Sequence, residues 1–296
     1  MTLTWGEKPP SEPVLRRLQL DDAPAALALS RHVGWSLTLA SWERMILWGG
    51  RGAFGIFVDD ALVATTVATI YSRERAWLGG VITHPDYRRR GMARQLVETA
   101  LAYLRVQGVQ HVLLDATEQG QPLYASLGFK PIYNVEVWEG RASSYLGARA
   151  RPLRAADLDE VVALDAEIFG VTRGRVIRRL VADYPHLAWV DEAPGEGITG
   201  YLLAQDDRQD GAVTHLGPWM ARSPWSAEKL LRTALSVLIG RQVRVDIPDR
   251  NTRATVFAHN HDLHYARHCV RMHLGRGEPP PEMIHRHYGV AALATG

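Results

Sequence analysis

The sequence predicts an α/β protein with a mixed sheet, assembled from two halves of similar layout. The stretch Arg16-x-Leu18-x-x-x-Asp22 recurs as Arg151-x-Leu153-x-x-x-Asp157, each followed by an Ala/Leu/Val-rich helical pattern, and a repeat of domain size argues for duplication. Along both halves, strand-like apolar runs alternate with the spacing of amphipathic helices. A chain of 296 residues with 46% apolar composition is also long enough for two cores of ordinary size.

In the first half the Val/Leu pattern at 14–20 reads as a strand, and Asp22 opens a helix over 22–31. A second helix follows over 38–48, then strands over 54–58, 61–71 and 75–83, where Val, Ile, Thr and aromatic residues gather. Pro85 ends the last of these. A helix is expected over 92–106, then a strand over 111–115, a short helix over 119–127 and a strand over 129–137. The second half repeats this order more loosely: helices over 156–169 and 175–183, strands near 187–190, 198–204 and 213–220, a helix over 225–238, a strand over 242–247, and a final helix and strand. Residues 140–150, rich in Gly, Ala, Ser and Arg and without periodicity, read as a linker between a domain 1–139 and a domain 151–296.

Composition excludes several classes of function. Lys and Arg total 34 against 32 Asp and Glu, a formal charge of +2, so no global field attracts nucleic acid and any anion site must be local. No stretch approaches the length of apolar sequence a bilayer needs, and the opening residues have neither a basic start nor an apolar signal core, so a cytoplasmic protein without membrane association is expected. The lone Cys269 cannot form an internal disulfide, in agreement with a reducing compartment.

The run from Val81 to Leu96 is the most specific local signal: a strand, a basic turn containing Gly91, then an amphipathic helix. Such a turn aims backbone N–H groups at one point beside the positive end of a helix dipole, with Arg88, Arg89 and Arg90 adjoining, which suits a pyrophosphate. Three consecutive arginines are by themselves usually a solvated surface charge; Gly91, Ala93 and the preceding strand favour the binding reading.

The spacing Arg88-x-x-Gly91-x-Ala93 resembles the acetyl-CoA motif of the GNAT N-acetyltransferase family, (Gln/Arg)-x-x-Gly-x-(Gly/Ala). Downstream, Leu123-Tyr124-Ala125-Ser126-Leu127-Gly128-Phe129 resembles the second hallmark of that family, a Tyr four residues before a Gly-Phe pair. With the string Leu114-Asp115-Ala116-Thr117, the chain looks like a bacterial subgroup carrying a second, degenerate domain of the same fold. The resemblance implies tandem acyl-CoA N-acyltransferase folds and acetyl-CoA as co-substrate. It places the cofactor on Arg88, Arg89, Arg90, Gly91, Met92, Ala93 and Arg94, with the main chain of Val81, Ile82 and Thr83 beside its pantetheine arm in a splay between the fourth and fifth strands. Tyr124 is the implied general acid; Thr117 stands where many members have an Asn that bonds the pantetheine.

The chemistry asks for the same residue types. A phenol is protonated at neutral pH and gives its proton to a departing thiolate, which Phe cannot do. Glu118, Asp115 and His84 are candidate bases, with an ordered water as the alternative to all three. Trp35 and Trp42 flank the loop between the first helices and are candidate acceptor-pocket walls, a role weighed against simple core packing; Asp115 is a candidate for contact with the acceptor or a turn cap. The acceptor expected is a small-molecule amine.

The histidines His259, His261, His264, His268 and His273 with Cys269 invite a metal reading, but they match no zinc spacing, and no metal is expected. In the second half the segment matching the cofactor turn, Gly217 to Ser226, lacks a basic glycine loop, and Phe257 stands in the place of Tyr124 without a Gly-Phe pair after it. That half is expected to shape the acceptor side, with Asp165, Phe169, Arg173 and Trp219 as contributors, or to be structural support. With Cys269 outside the catalytic half, no covalent enzyme intermediate is expected. The rival reading is a non-catalytic acyl-CoA binding or sensing module.

Overall fold

The computed structural model describes residues 12–147, 149–206 and 213–296. The expectation about the N-terminal leader falls largely on residues 1–11, outside the described part. By its contacts the chain divides into two units, Met1–Ala68 with Gly80–Leu104, and Thr69–Gly79 with Arg105–Gly296. This division does not follow the sequence boundary near 140–150.

The first unit holds β1 (Val14–Arg17), α1 (Ala23–His32), α2 (Leu39–Gly49), β2 (Ala53–Val58), most of β3 (Ala61–Ile70), the end of β4 (Arg75–Thr83) and most of α3 (Met92–Val106). β1 and β3 flank β2, both antiparallel. The β2–β3 hairpin turns on Asp59 and Asp60, with φ of 48° and 64°, the two left-handed residues of a tight primed turn. α3 buries Met92, Leu96, Val97, Ala100 and Leu104 at helical spacing. β1 is shorter than the expected strand because Asp22 pulls the chain into a 3-10 turn at Leu20–Asp22: its carboxylate takes both Arg16 Nη groups at 2.8 Å and the Gln19 N–H at 2.7 Å.

The second unit contains the rest of β3 and β4, followed by β5 (His111–Ala116), α4 (Gln121–Ser126), β6 (Lys130–Arg141), β7 (Arg151–Pro152), α5 (Leu158–Phe169), α6 (Gly174–Asp183), β8 (Ala188–Ala193), β9 (Gly197–Gln205), β10 (Thr214–Ala221), α7 (Pro224–Val237), β11 (Gln242–Pro248), α8 (Thr252–Asn260), β12 (Leu263–Gly275) and β13 (His287–Gly289). Its strand order is β4-β5-β12-β6-β11-β10-β9-β8-β7, with β13 on β10. The sequence repeat has the same meaning here as in the first unit: Arg151 grips Asp157 at 2.6 and 3.0 Å, and Asp157 accepts the Arg154 N–H at 2.7 Å. The motif is an arginine–aspartate clamp that closes the turn between the first strand and first helix of each half.

β12, from the end of the sequence, lies between β5 and β6. It pairs antiparallel with β5 from Val270↔Ala116 to Gly275↔His111, and with β6 from Leu263↔Gly140 to His273↔Lys130. β6, from the first sequence half, pairs on its other side with β11. The two halves thus exchange strands inside the second unit. This corrects the expected linker, since β6 runs through Gly140 and Arg141, beyond the end foreseen at Val137, because it has a partner along each edge.

Two buried ion-pair systems replace apolar core in this unit. Arg271 on β12 holds both carboxylate oxygens of Asp115 on β5, at 2.9 and 3.0 Å, with both side chains fully shielded. Arg271 also donates to the Tyr133 hydroxyl at 2.7 Å, Tyr133 donates to Glu282 at 2.9 Å, and Arg75 reaches Glu282 at 2.9 Å. Separately, Arg173 pairs with Asp165 at 3.0 Å and Tyr201 donates to the same carboxylate. Asp165, Phe169, Arg173 and Trp219, expected to shape an acceptor pocket, are instead all interior, at most 1% exposed.

Segment 290–296 packs along the start of β4. Trp77 Nε1 donates to the Leu293 carbonyl at 3.2 Å, Tyr71 donates to that of Thr295, and the missing side chain of Gly79 admits the main chain of Ala294. No helix among the described residues is long and apolar enough to cross a membrane.

Replacing Arg271 by Met leaves the Asp115 carboxylate buried and unpaired and is expected to cost about 3–5 kcal/mol in urea unfolding. Asp115→Leu with Arg271→Met should recover much of that loss; equal stability of the single variant and the parent would contradict this account. For Glu282, burial opposes ionisation, yet His287, Arg271 and Arg75 hold its carboxyl down at about 2 against an ordinary 4.5. Below about pH 4.5 the unfolded chain takes the proton first, so this contribution to stability is lost as pH falls from there toward about 2. Urea midpoints measured across that range should fall less steeply in Glu282→Gln than in the parent.

Candidate functional site

In the first unit, the end of β4 leads into the basic turn. The Val63 carbonyl accepts the His84 N–H at 2.8 Å and the Thr65 hydroxyl donates to the Gly80 carbonyl at 2.7 Å, tying this end of β4 to β3. Gly80 has φ of +60°, and a Cβ there would meet Met45 at 2.9 Å and Trp42 at 3.3 Å. β4 therefore kinks one residue before Val81, as a glycine inside a strand permits. Sequence reasoning missed Gly80; the Gly79-Gly80 pair within an apolar strand was the available signal.

Trp42 is corrected from pocket wall to core. It is fully buried, donates its indole N–H to Ser30 at 3.2 Å and packs over the Gly80 kink. Trp35, on the loop between α1 and α2, is half-buried and ties its N–H to the Ser30 carbonyl at 3.0 Å. Ile82 is buried; Val81 and Thr83 are half-buried, and the buried Thr83 hydroxyl has no partner among the described residues.

After Thr83 the chain passes through a 3-10 turn, Pro85–Tyr87, capped by the His84 ring, whose Nδ1 accepts the Asp86 N–H at 3.3 Å. His84 also lies 4.7 Å from the ring of His32, so of the three candidate bases it serves as a cap. Arg88 is extended and turns its Nε back to the Thr83 carbonyl at 3.3 Å, bracing the turn on the strand. Arg89 and Gly91 are left-handed, with φ of 62° and 81°. Arg90 lies 5.0 Å over the Tyr87 ring. Gly91 accepts the first helical hydrogen bond, from Gln95 at 3.0 Å, which leaves the N–H groups of Met92 and Ala93 without intrahelical acceptors. Arg88 to Gly91 and Arg94 are exposed, and nothing lies within 4 Å of where a Gly91 Cβ would be. Left-handed backbone, free N–H groups and exposed guanidiniums together form an anion cradle of the kind that holds phosphates.

In the second unit, β4 and β5 pair in parallel over Arg75–Trp77 with His111–Leu113, and the pairing extends no further within this unit, although Leu78, Gly79 and Leu114–Ala116 continue the strands. Main-chain groups beyond Leu113 on β5 are thus left open on that edge. The chain then turns at Thr117, whose carbonyl accepts from Gly120 at 2.9 Å and Gln121 at 3.1 Å, and enters α4. Gly120 sits between Thr117 and Tyr124: a Cβ there would lie 3.0 Å from the Tyr124 ring and 3.5 Å from the Thr117 hydroxyl. Thr117 and Tyr124 are therefore neighbours.

Tyr124 is 7% exposed and meets the edge of Phe129 at 5.8 Å. Gly128, at φ of 91°, ends α4, and the Phe129 N–H returns to the Tyr124 carbonyl at 3.0 Å. The Gly-Phe pair thus has a physical meaning: the glycine makes the left-handed turn and the phenylalanine fixes the tyrosine ring. Burial, with a lesser electrostatic contribution from Cys269, raises the Tyr124 phenol above its ordinary value. This corrects the placement of Cys269. It belongs to the second sequence half, but the strand exchange carries it on β12 into the same unit as Tyr124, where burial pushes its thiol up and keeps it protonated.

Asp115 is corrected from acceptor contact to structure: both oxygens are occupied by Arg271. Glu118 is exposed. Phe257, in the place of Tyr124 in the second half, stacks on Tyr288 at 6.1 Å. Of the histidines, His261 packs on Tyr145 at 4.6 Å, His268 hydrogen-bonds Tyr265 at 2.8 Å and His273 meets His111 at 2.9 Å, while His259 and His264 are exposed. Among the described residues no three His, Cys, Asp or Glu side chains gather as a metal-binding group.

Comparison with known proteins gives the same outline. Residues 18–129 match the description "Acetyltransferase (GNAT) family" and residues 161–289 match "Acetyltransferase (GNAT) domain". The holothin acyltransferase of Pseudoalteromonas sp. (strain SANK 73390) is 24% identical over 273 residues, covering 88% of this chain and 87% of the relative. Among solved structures, a putative acetyltransferase from Pyrococcus horikoshii has a TM-score of 0.80 at 22% identity, covering 96% of each chain. A GCN5-related N-acetyltransferase from Sphaerobacter thermophilus has a TM-score of 0.61 at 17% identity, covering 96% of this chain and 98% of the other.

Gly91→Val places a branched side chain at a left-handed residue and over the cradle. Acyl-CoA affinity, measured by calorimetry, should drop about tenfold or more from a backbone penalty of about 1–2 kcal/mol with blocked approach. Unchanged affinity would remove this turn from the donor site.

Proposed function

Because the chain belongs to the GNAT acetyltransferase family, with one such domain in each half, we propose that it transfers an acetyl group from acetyl-CoA directly to the primary amine of a small molecule. The anion cradle at the N-terminus of α3 carries this reading. The N–H groups of Met92 and Ala93, with Arg88, Arg89, Arg90 and Arg94, hold the pyrophosphate, and Val81, Ile82 and Thr83 offer main-chain and hydroxyl partners to the pantetheine arm.

Acetyl-CoA supplies the thioester carbonyl that the amine attacks. The C–N bond forms, the C–S bond breaks, the nitrogen sheds a proton and the sulfur gains one. Tyr124 donates that last proton and regains one from water before the next turnover. Its raised phenol stays protonated throughout the neutral range, so a proton is at hand for the thiolate as it departs. Asp115 and His84 are engaged elsewhere and Glu118 is exposed, so the amine proton passes to water. No covalent enzyme intermediate enters, in keeping with the protonated Cys269. The kinship with an acyltransferase supports catalysis over the sensing module.

Thiol release from acetyl-CoA, followed across a panel of small amines, tests the reading. Tyr124→Phe is expected to lower kcat by about a hundredfold or more, the scale of general-acid catalysis, with acetyl-CoA affinity unchanged. Cofactor binding without amine-dependent thiol release for any member of the panel would favour the non-catalytic module.

A further inference from the structure

The second half holds a basic cavity that the proposed reaction does not use. It encloses about 180 Å³ and is lined by Arg222, Pro224, Arg250, Asn251, Thr252, Arg253, His285 and Tyr288. No acidic residue is among those eight. Pro224 and Thr252 are the first residues of α7 and α8, so two helices present their positive ends here. Their first-turn donors are partly spent: Ser223 caps the Ser226 N–H at 3.1 Å, and Asn251 caps that of Ala254 at 3.3 Å. Any anion must therefore be read chiefly by side chains.

Those side chains are placed for it. Arg222 is anchored by Glu167 at 2.8 Å and Arg250 by the Ile132 carbonyl at 2.7 Å, which positions each guanidinium and leaves further N–H groups free. Arg253 and His285 have no hydrogen-bond or ion-pair partner among the described residues. Tyr288 supplies an independent indication. It is 1% exposed, with its ring fixed between Trp219 at 5.0 Å and Phe257 at 6.1 Å, yet its hydroxyl has no partner among the described residues while the side chain lines the cavity. Burial lifts this phenol to about 12, with Arg253 and Arg286 drawing it back down. The hydroxyl thus faces the cavity, where it can donate to a ligand.

We propose that this cavity is a phosphate-binding site, with Arg222, Arg250, Arg253 and His285 around the anion and the Tyr288 hydroxyl donating to it. Guanidiniums approaching from the α7 side and from the α8 side match an anion with oxygens on several faces better than a planar carboxylate. The site lies where the second half lacks a glycine-rich cofactor turn, so it suits a single phosphate group, free or carried by an organic molecule, rather than a pyrophosphate.

The test uses the full chain carrying Arg88→Ala and Arg90→Ala, which weakens the cradle at the start of α3 as a competing anion site, and reads the difference that a change at Arg253 makes. Inorganic phosphate is titrated by calorimetry with and without Arg253→Ala; Arg253 is exposed and unpaired, so its loss leaves folding intact. Phosphate should bind at one site, about tenfold or more weaker without Arg253 and several-fold weaker in Tyr288→Phe. Coenzyme A, titrated alongside with and without Arg253→Ala, separates a carried phosphate, if losing Arg253 weakens its binding, from a free one, if it does not. Equal phosphate affinity with and without Arg253, no phosphate binding at all, or acetate binding as tightly as phosphate would overturn the proposal.

Discussion

The buried pair between Arg271 and Asp115 is the constraint on which the second unit depends. It joins β12 to β5 across a boundary between sequence halves, and through Tyr133, Glu282 and Arg75 it reaches β6 and the beginning of β4. A buried ion pair is weak evidence of net stability, since apolar side chains of similar volume often do as well. Its physical effect here is on register. Slipping β12 by one residue would turn Arg271 to the other face of the sheet and strand a buried carboxylate. The exchanged strand thus has one position of low energy, and Cys269 and Val270 take their places beside β5 and β6 with it.

The same pair decides what the chemistry can use. An aspartate at the end of β5 invites a role toward the amine, but a carboxylate with both oxygens on a guanidinium has no capacity left for a substrate. His84 is likewise engaged as a cap. The candidate groups that need no ionised partner are the main-chain donors at the start of α3, the exposed arginines and, in the second unit, the phenol of Tyr124. Arg89 and Gly91 ahead of those donors are left-handed, and after the left-handed turn at Gly128 the Phe129 ring packs against that of Tyr124.

Much of the local architecture was legible in the chain. The helix over 92–106 and the strand over 75–83 begin and end where their periodicity and Pro85 indicate. The repeated Arg-x-Leu-x-x-x-Asp is visible as a pattern; that it is a clamp of arginine on aspartate emerges only when both ends of the turn are seen. The roles of Trp42 and Asp115 were misread because spacing tells which residues are near a loop or a strand end and not which neighbour fills their space. Gly80 was overlooked because its kink matters only through Trp42 and Met45, more than thirty residues earlier in the chain.

The sequence by itself determined the two-part repeat, the strand, basic turn and helix of the candidate anion cradle, and the tyrosine ahead of a Gly-Phe turn, because each is a short-range pattern whose geometry is set by backbone preference and adjacent side chains. Only the tertiary structure decided that the halves trade strands, that Asp115 belongs to Arg271, that Cys269 enters the unit of Tyr124, and that Arg222, ahead of α7, shares a cavity with Arg250 and Arg253 at the start of α8. These depend on pairings between residues distant in the chain, chosen by which buried charges and open strand edges find a partner, and no local pattern encodes that choice.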